Sequence, residues 1–402
     1  MNELFSDRAR RLLADLDSDR LIVERRARLQ KQMRAAGVSA CLFFLPANIR
    51  YATGVSVMDV HCLAASERYC VIAAEGKPIL FEWQPAIDRS NKIIEDVRPA
   101  LWWQYQGAHG KQLISAFVGE TLAALTELAV EPGAPVAVDR IDPSAVFALQ
   151  SAGLNLVSAS PVTDAAREIK TQDEVTLMRV NGEIGRDMLL EFEEAIVPGV
   201  REIDLLAVLS NALIRRDGIT LFTRLVSSGQ NSNPWGTEAS NRKGETGDLV
   251  ALDSDATGYE GYVIDVSRTF LCGDQAPSEE QRRLYRLAME QLMAMREATR
   301  AGRSYAAFSK LVPPLPEDYR PQSYECIVHG AGLMNEGPVI YQPWDENNPH
   351  DKVLEENMVL CLEAYVGRVG GSCGVKLEDQ VLVTKDGHEL LVDYPFDQRL
   401  GH

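Results

Sequence analysis

The apolar residues of this chain fall into two kinds of pattern, and their order divides it. In the first part, SACLFFLP and RYCVIAAEGKPILFEW are rich in β-branched and aromatic residues, and a Gly-Lys-Pro turn splits the second run. They predict short buried strands. PVAVD predicts another strand, and PSAVFALQSAGL after it carries apolar positions at helical spacing. Alternating strands and helices predict a compact α/β domain over residues 1–162. The polar stretch SPVTDAAREIKTQDE, which offers helix starts, marks its end.

Residues 163–402 show a different rhythm. DEVTLMRVNGEIGRDMLLEFEEAI and REIDLLAVLSNALIRRDG predict two amphipathic helices separated by Pro198 and Gly199. SEEQRRLYRLAMEQLMAMREAT predicts a third, with Ser278 as its N-cap. Four strand-like runs accompany them: LVALDSD, YVIDVSRTFL, NMVLCLEAYV and GVKLEDQVLVT. Helices grouped around an antiparallel sheet describe an α+β domain. The charged N-terminus, MNELFSDRARRLLADLDSDRLIVERRARLQ, predicts one or two amphipathic helices and has no apolar stretch of signal-peptide or membrane-spanning length.

Composition narrows the function classes. A formal charge of −17 leaves no basic stripe to neutralise phosphates, so nucleic acid is not an expected partner, nor is a membrane. The seven cysteines (41, 62, 70, 272, 326, 361 and 373) form no CxxC pair, and several sit in apolar runs where a reduced thiol behaves as a small hydrophobe. That usage fits a cytoplasmic protein. His61, His109 and His350 stand apart from other ligand-type residues and suit surface or capping roles.

The chemistry lies in the second domain. Asp253, Asp265 and Glu363 interrupt apolar strand-like runs, and Asp255 stands two residues after Asp253, on the same face if the strand continues that far. Any one of these acids could be satisfied by an Arg or by backbone N–H groups. Several of them in one domain with Glu378, joined by His329 in HGAG, instead compose a donor set for two divalent ions.

These residues carry a resemblance. The order Asp, Asp, His, Glu, Glu, with YVIDVSRTF, HGAG and GVKLEDQVLVT around it, resembles the creatinase, prolidase and methionine aminopeptidase superfamily. REIKTQDEVTLMR and PANIRYATG resemble its two-domain members. The resemblance implies a pita-bread catalytic domain preceded by a smaller creatinase-like α/β domain, two divalent metal ions and a homodimer. Peptidases of this kind usually carry Asp-x-Gly at the first ligand, a second His after the ligand His, and Glu-Pro-Gly at the next Glu. Here the three places read Asp253-Ser254-Asp255, HGAGLMNEGP and EAYVG. All three departures resemble the branch of lyases that cleave dimethylsulfoniopropionate to dimethyl sulfide and acrylate.

That branch implies six ligands: Asp253, Asp255, Asp265, His329, Glu363 and Glu378. It favours iron, while manganese, zinc or cobalt suit the same donors. Tyr324, five residues before His329, matches its active-site Tyr. Its catalytic base is an Asp six residues after the ligand His, where this chain has Asn335, and an amide cannot take the proton. Tyr324, water activated at the metals, or Glu336 could act instead, and Asn335 could bind a carboxylate or oxyanion.

Aromatic faces recognise sulfonium or quaternary ammonium groups, and Trp102, Trp103, Trp235, Tyr341 and Trp344 are the candidates, although any one can equally be packing. Arg224 and Arg268 are possible partners for a substrate carboxylate, or orient the acids. The expected substrate is a small zwitterion. Two alternatives stay open: a C–N hydrolase, either an Xaa-Pro peptidase or a creatinase-like amidohydrolase, and a binding protein that keeps the ligands without turnover.

Overall fold

The protein is described by a computed structural model over residues 3–56, 68–345, 348–349 and 352–401, so His61, Cys62 and His350 lie outside the described residues. The chain forms two compact units. Asp17–Arg167 make one, and Met1–Leu16 with Glu168–His402 make the other. The change of unit at 167/168 falls five residues beyond the division expected at 162/163. The first sixteen residues also join the second unit instead of the first. Asp7–Ala14 form a helix, capped by Ser6, that packs on the helix Gln172–Glu194 with Phe5 and Ala9 in the shared core. An ion pair of 3.1 Å between Arg8 and Glu183 pins it there.

In the Asp17–Arg167 unit the strands are β1 (Ala40–Phe43), β2 (Tyr69–Ala73), β3 (Ile79–Glu82), β4 (Val97–Pro99), β5 (Pro135–Val138) and β6 (Asn155–Ser158). They lie in the order β4-β3-β2-β1-β5-β6, with β1 antiparallel to β2 and parallel to β5. Every residue of β1, β2 and β3 is buried, as expected of strands covered on both faces. Trp103 belongs to this core. It is 4% exposed, its ring lies 4.5 Å from that of Phe117, and its indole N–H donates to Asp142 at 2.6 Å.

The second unit contains β7 (Thr220–Leu221), β8 (Val226–Ser228), β9 (Leu249–Asp253), β10 (Ala256–Thr257), β11 (Val263–Ile264), β12 (Ser267–Leu271), β13 (Cys326–Ala331), β14 (Asn335–Tyr341), β15 (Val359–Val366), β16 (Val375–Val383) and β17 (His388–Leu390). Its main sheet runs β14-β13-β15-β16-β12-β9-β8, with β17 added to β16. The pairs along it are antiparallel. One hydrophobic core gathers the helix Glu279–Ala298 onto β15 and β16. Another gathers the helices Gln172–Glu194 and Glu202–Ile214 with β9 and β12. Both long helices begin with reciprocal capping boxes, Thr171 with Glu174 and Ser278 with Gln281. The architecture is the expected α+β arrangement. Among the described residues, no helix is long and apolar enough to cross a membrane.

Candidate metal centre

Register across the sheet assembles the centre. Asp253 on β9 stands opposite Ser267 on β12, Ser267 opposite Glu378 on β16, and Glu378 opposite Glu363 on β15. Directly opposed residues of antiparallel strands leave the same face, so one row across four strands carries three carboxylates. His329 reaches the row from β13, where it pairs with Cys361 of β15. The strand-like run YVIDVSRTFL breaks into β11 and β12, and Asp265 occupies the break.

The distances are those of a ligand cluster. His329 Nε2 lies 3.1 Å from Glu363 Oε1 and 3.6 Å from Asp265 Oδ2. Donor atoms of Asp265, His329, Cys361 and Glu378 fall within 4.8 Å of one another, as do those of Asp253, Asp255 and Asp265. Asp253 Oδ1, Asp265 Oδ1 and Glu378 Oε1 are buried with no hydrogen-bond partner. Buried carboxylate oxygens left unpaired are costly, and cations accepted among them would remove that cost. The side chains therefore fit two divalent ions, with all six expected ligand residues brought together.

Asp255 has a conformational peculiarity. β9 ends at Asp253, and Asp255 turns the chain with φ +35°, in the left-handed region that favours glycine. The expected continuation of the strand to residue 255 does not occur. Its carboxylate accepts from Thr223 Oγ1 at 2.7 Å.

Crowding of acids shifts their proton affinities. Burial, and then the neighbouring Asp253, push Asp255 up to about 6. Burial together with Glu378, Asp253, Asp255 and Glu363 raises Asp265 well above the carboxylate range. Burial would also raise Glu363, but the Lys376 ammonium and His329 outweigh it and hold that carboxyl at about 2. Burial opposes a charge on His329, yet its bond to Glu363 and the surrounding acids lift it to about 9. His329 Nδ1 lies 3.1 Å from the Gly330 carbonyl, which directs Nε2 into the cluster.

Sequence reasoning missed Lys376. Its ammonium, fully buried, lies 2.6 Å from Glu363 and 3.0 Å from both Asp253 and Glu378. The signal was available, since strand alternation in GVKLEDQ puts Lys376 and Glu378 on one face. Ser267 was missed too; its hydroxyl donates to Glu378 at 2.8 Å.

The residues expected to handle protons separate. The Tyr324 ring borders the cluster, 5.1 Å from Lys376 Nζ, and burial with the nearby acids holds its proton on. Asn335 opens β14 opposite Ala331, two residues beyond His329, with its side chain exposed. Glu336 is no free base. Its carboxylate is buried, ion-paired to Lys170 at 2.9 Å, and accepts from the Leu333 N–H.

Of the expected cage aromatics, Trp103 is corrected to packing. Trp103 is a core residue, and Trp102 belongs to the same unit, its ring 6.3 Å from Tyr105. Trp344 lies against Arg320, and Tyr341 ends β14 with its backbone tied to Asn348 and Ser309. Trp235 does border the centre, 5.8 Å from Lys376 Nζ and 6.0 Å from the unforeseen Tyr365. Its loop is fixed by the Tyr365 hydroxyl on Ser232 and Asn233 and by buried Glu202. Arg268 is fully buried and donates to the Glu378 carbonyl and to Asp379, so it braces β16 and cannot meet a substrate. Arg224 is exposed, 3.6 Å from Glu238.

Comparison with known proteins agrees with this geometry. Residues 176–385 match the model of metallopeptidase family M24, and residues 25–169 match that of the creatinase/prolidase N-terminal domain. The chain is 32% identical, over 94% of its length and 86% of the relative's, to the dimethylsulfoniopropionate lyase DddP of Roseobacter denitrificans. It is also 32% identical to the Xaa-Pro dipeptidase of Pyrococcus furiosus, over 56% of this chain and 63% of that one. Among solved structures, the Xaa-Pro dipeptidase from Bacillus anthracis has the same fold, with a TM-score of 0.75 and 21% identity over 94% of this chain and 99% of that one.

Proposed function

Since the chain belongs to metallopeptidase family M24, whose members are dinuclear metal enzymes, we propose that it is a metal-dependent lyase acting on a small onium carboxylate. Dimethylsulfoniopropionate is the substrate to test first. The observation that carries this reading is Asp255. A carboxylate at a left-handed position, close to Asp253 and Asp265, adds an oxygen donor where the peptidase pattern has glycine. The similarity to the lyase, which spans nearly the whole chain, supports the same branch.

Asp253, Asp255, Asp265, His329, Glu363 and Glu378 would hold the ions. Two bound divalent ions would supply Lewis acidity to stabilise negative charge on the substrate carboxylate. The chain's own residues would do the rest. Trp235 and Tyr324 already face one cation, the Lys376 ammonium, with Tyr365 beside both rings, and these offer the aromatic faces that a sulfonium needs. Elimination removes the proton α to the carboxylate, forms the C=C bond of acrylate and expels dimethyl sulfide with the C–S electron pair. With Glu336 locked by Lys170, Tyr324 is the residue we assign to that proton. Positive charge at the ions works against the burial that raises its pKa.

A second reading is a C–N hydrolase, favoured by the dipeptidase similarity. Metal-loaded protein should be given dimethylsulfoniopropionate and Xaa-Pro dipeptides in parallel, with headspace dimethyl sulfide and free proline as readouts. Release of dimethyl sulfide that stops on chelation is expected. Proline release without dimethyl sulfide would select the hydrolase, and tight onium binding without any product would select a binding protein. Lyase activity that appears only in Asn335→Asp would show that the parent has another reaction.

A further inference from the structure

Lys376 lies fully buried on β16, two residues before Glu378 and on the same strand face. Its ammonium contacts Glu363 Oε2 at 2.6 Å, Asp253 Oδ2 and Glu378 Oε2 at 3.0 Å each, and Ser267 Oγ at 2.8 Å. Two of these carboxylates are divided in the same way. Asp253 gives Oδ2 to the ammonium and keeps Oδ1 without a partner; Glu378 gives Oε2 and keeps Oε1. Tyr324 and Trp235 present their rings to Nζ from 5.1 and 5.8 Å. The lysine thus takes one oxygen of each acid and leaves the other for something else.

Charge leads to the same point. The six candidate ligands comprise five carboxylates and one imidazole. Two divalent ions bring four positive charges, which leaves the ionised, loaded cluster one charge short of neutral. A buried net charge is strongly unfavourable, and Lys376 is the cation built into the fold beside it.

We propose that Lys376 is a permanent third cation of the centre, which holds the outer oxygens of Asp253, Glu363 and Glu378, keeps the carboxylates in place before metal arrives and completes the charge of the loaded site. It is a positioning residue. The inference rests on the metal-centre reading, and the test separates the two.

Mn2+ serves as the probe. The full-length wild type, Lys376→Met and Lys376→Arg are stripped with a chelator, and thermal unfolding is followed with and without saturating Mn2+. Bound manganese is counted after gel filtration. Metal-free Lys376→Met is expected to unfold roughly 5–10 °C below metal-free wild type, because three carboxylates lose their cation together. Mn2+ should close most of that gap, Lys376→Arg should follow the wild type, and wild type and Lys376→Met should each hold two ions. If Lys376→Met is not recovered, Lys376→Gln, which keeps hydrogen bonds without charge, carries the same expectation. An equal loss with and without Mn2+ would reduce Lys376 to packing, and no loss in either form would remove the proposal. One ion in the wild type against two in Lys376→Met would show that the ammonium stands in a metal's place. A wild type that binds no Mn2+ would overturn the metal centre itself, and this proposal with it.

Discussion

At the scale of the residue, Asp255 concentrates the argument. A left-handed backbone costs a β-carbon-bearing residue roughly 1 kcal/mol that glycine does not incur. The same residue sets a carboxylate beside two others, with its pKa raised to about 6. Both effects work against the metal-free protein at neutral pH, and a ligand role for Asp255 would offset them. Asp255→Gly is expected to stabilise the metal-free protein by about 1 kcal/mol in denaturant titration. The same variant should lose affinity for at least one of two ions in calorimetric titration. Unchanged metal affinity would remove Asp255 from the ligand set. Gly330 in HGAG illustrates the opposite constraint. A β-carbon there would lie 1.9 Å from the Gly337 carbonyl oxygen, where β13 and β14 pass each other beside His329. Gly330→Ala should therefore displace β14 and lower both stability and metal affinity, which thermal unfolding with and without added metal would show.

At the scale of the element, the loop carrying Trp235 depends on a buried acid in a neighbouring helix. Glu202 is fully buried and accepts from the Ser228 N–H and hydroxyl, from Asn231, and from the Ser240 N–H and hydroxyl. An amide there would turn an N–H donor toward other donors, at a cost of about 1–3 kcal/mol. Glu202→Gln is expected to lower stability by that amount and to raise KM more than it lowers kcat, since the loop presents Trp235 and holds no ligand. A fall in kcat at unchanged KM would contradict this role. Legibility in sequence also varied by element. The helices Gln172–Glu194 and Glu279–Ala298 announce themselves through apolar periodicity and capping boxes. β15 and β16 do so as long apolar runs. β13 and β14 do not, because HGAGLMNEGP reads as turn-forming residues, and their pairing comes from long-range register. The six candidate ligands could be read from motifs and Lys376 from strand alternation beside Glu378, whereas Tyr365 borders the centre only through what packs opposite it. Trp103 misled because an aromatic beside turn formers looks the same whether it faces a ligand or, as here, Phe117.

At the scale of the whole molecule, the centre couples folding to pH in opposite senses with and without metal. In the metal-free protein Asp255 titrates near 6 instead of 3.8, so its contribution is complete below 3.8 and lost as pH rises through 6. His329, raised from 6.5 to about 9, adds stability that is complete below 6.5 and lost as pH rises through 9. Glu363 acts oppositely: held at about 2 against 4.5, it contributes above 4.5 and is lost only as pH falls toward 2. Metal-free protein should therefore be most stable between about pH 3.8 and 4.5 and weaken toward pH 9. Metal ions bind the deprotonated donors, so their stabilisation grows over the same interval. The difference in Tm between metal-loaded and chelated protein is then expected to widen steadily from pH 5 to pH 9. In Asp255→Gly the widening between pH 5 and 6 should shrink, while the part above 6.5 that belongs to His329 remains. A difference that stayed constant with pH would mean that metal binding displaces no protons from these groups, and would place the ions elsewhere in the protein.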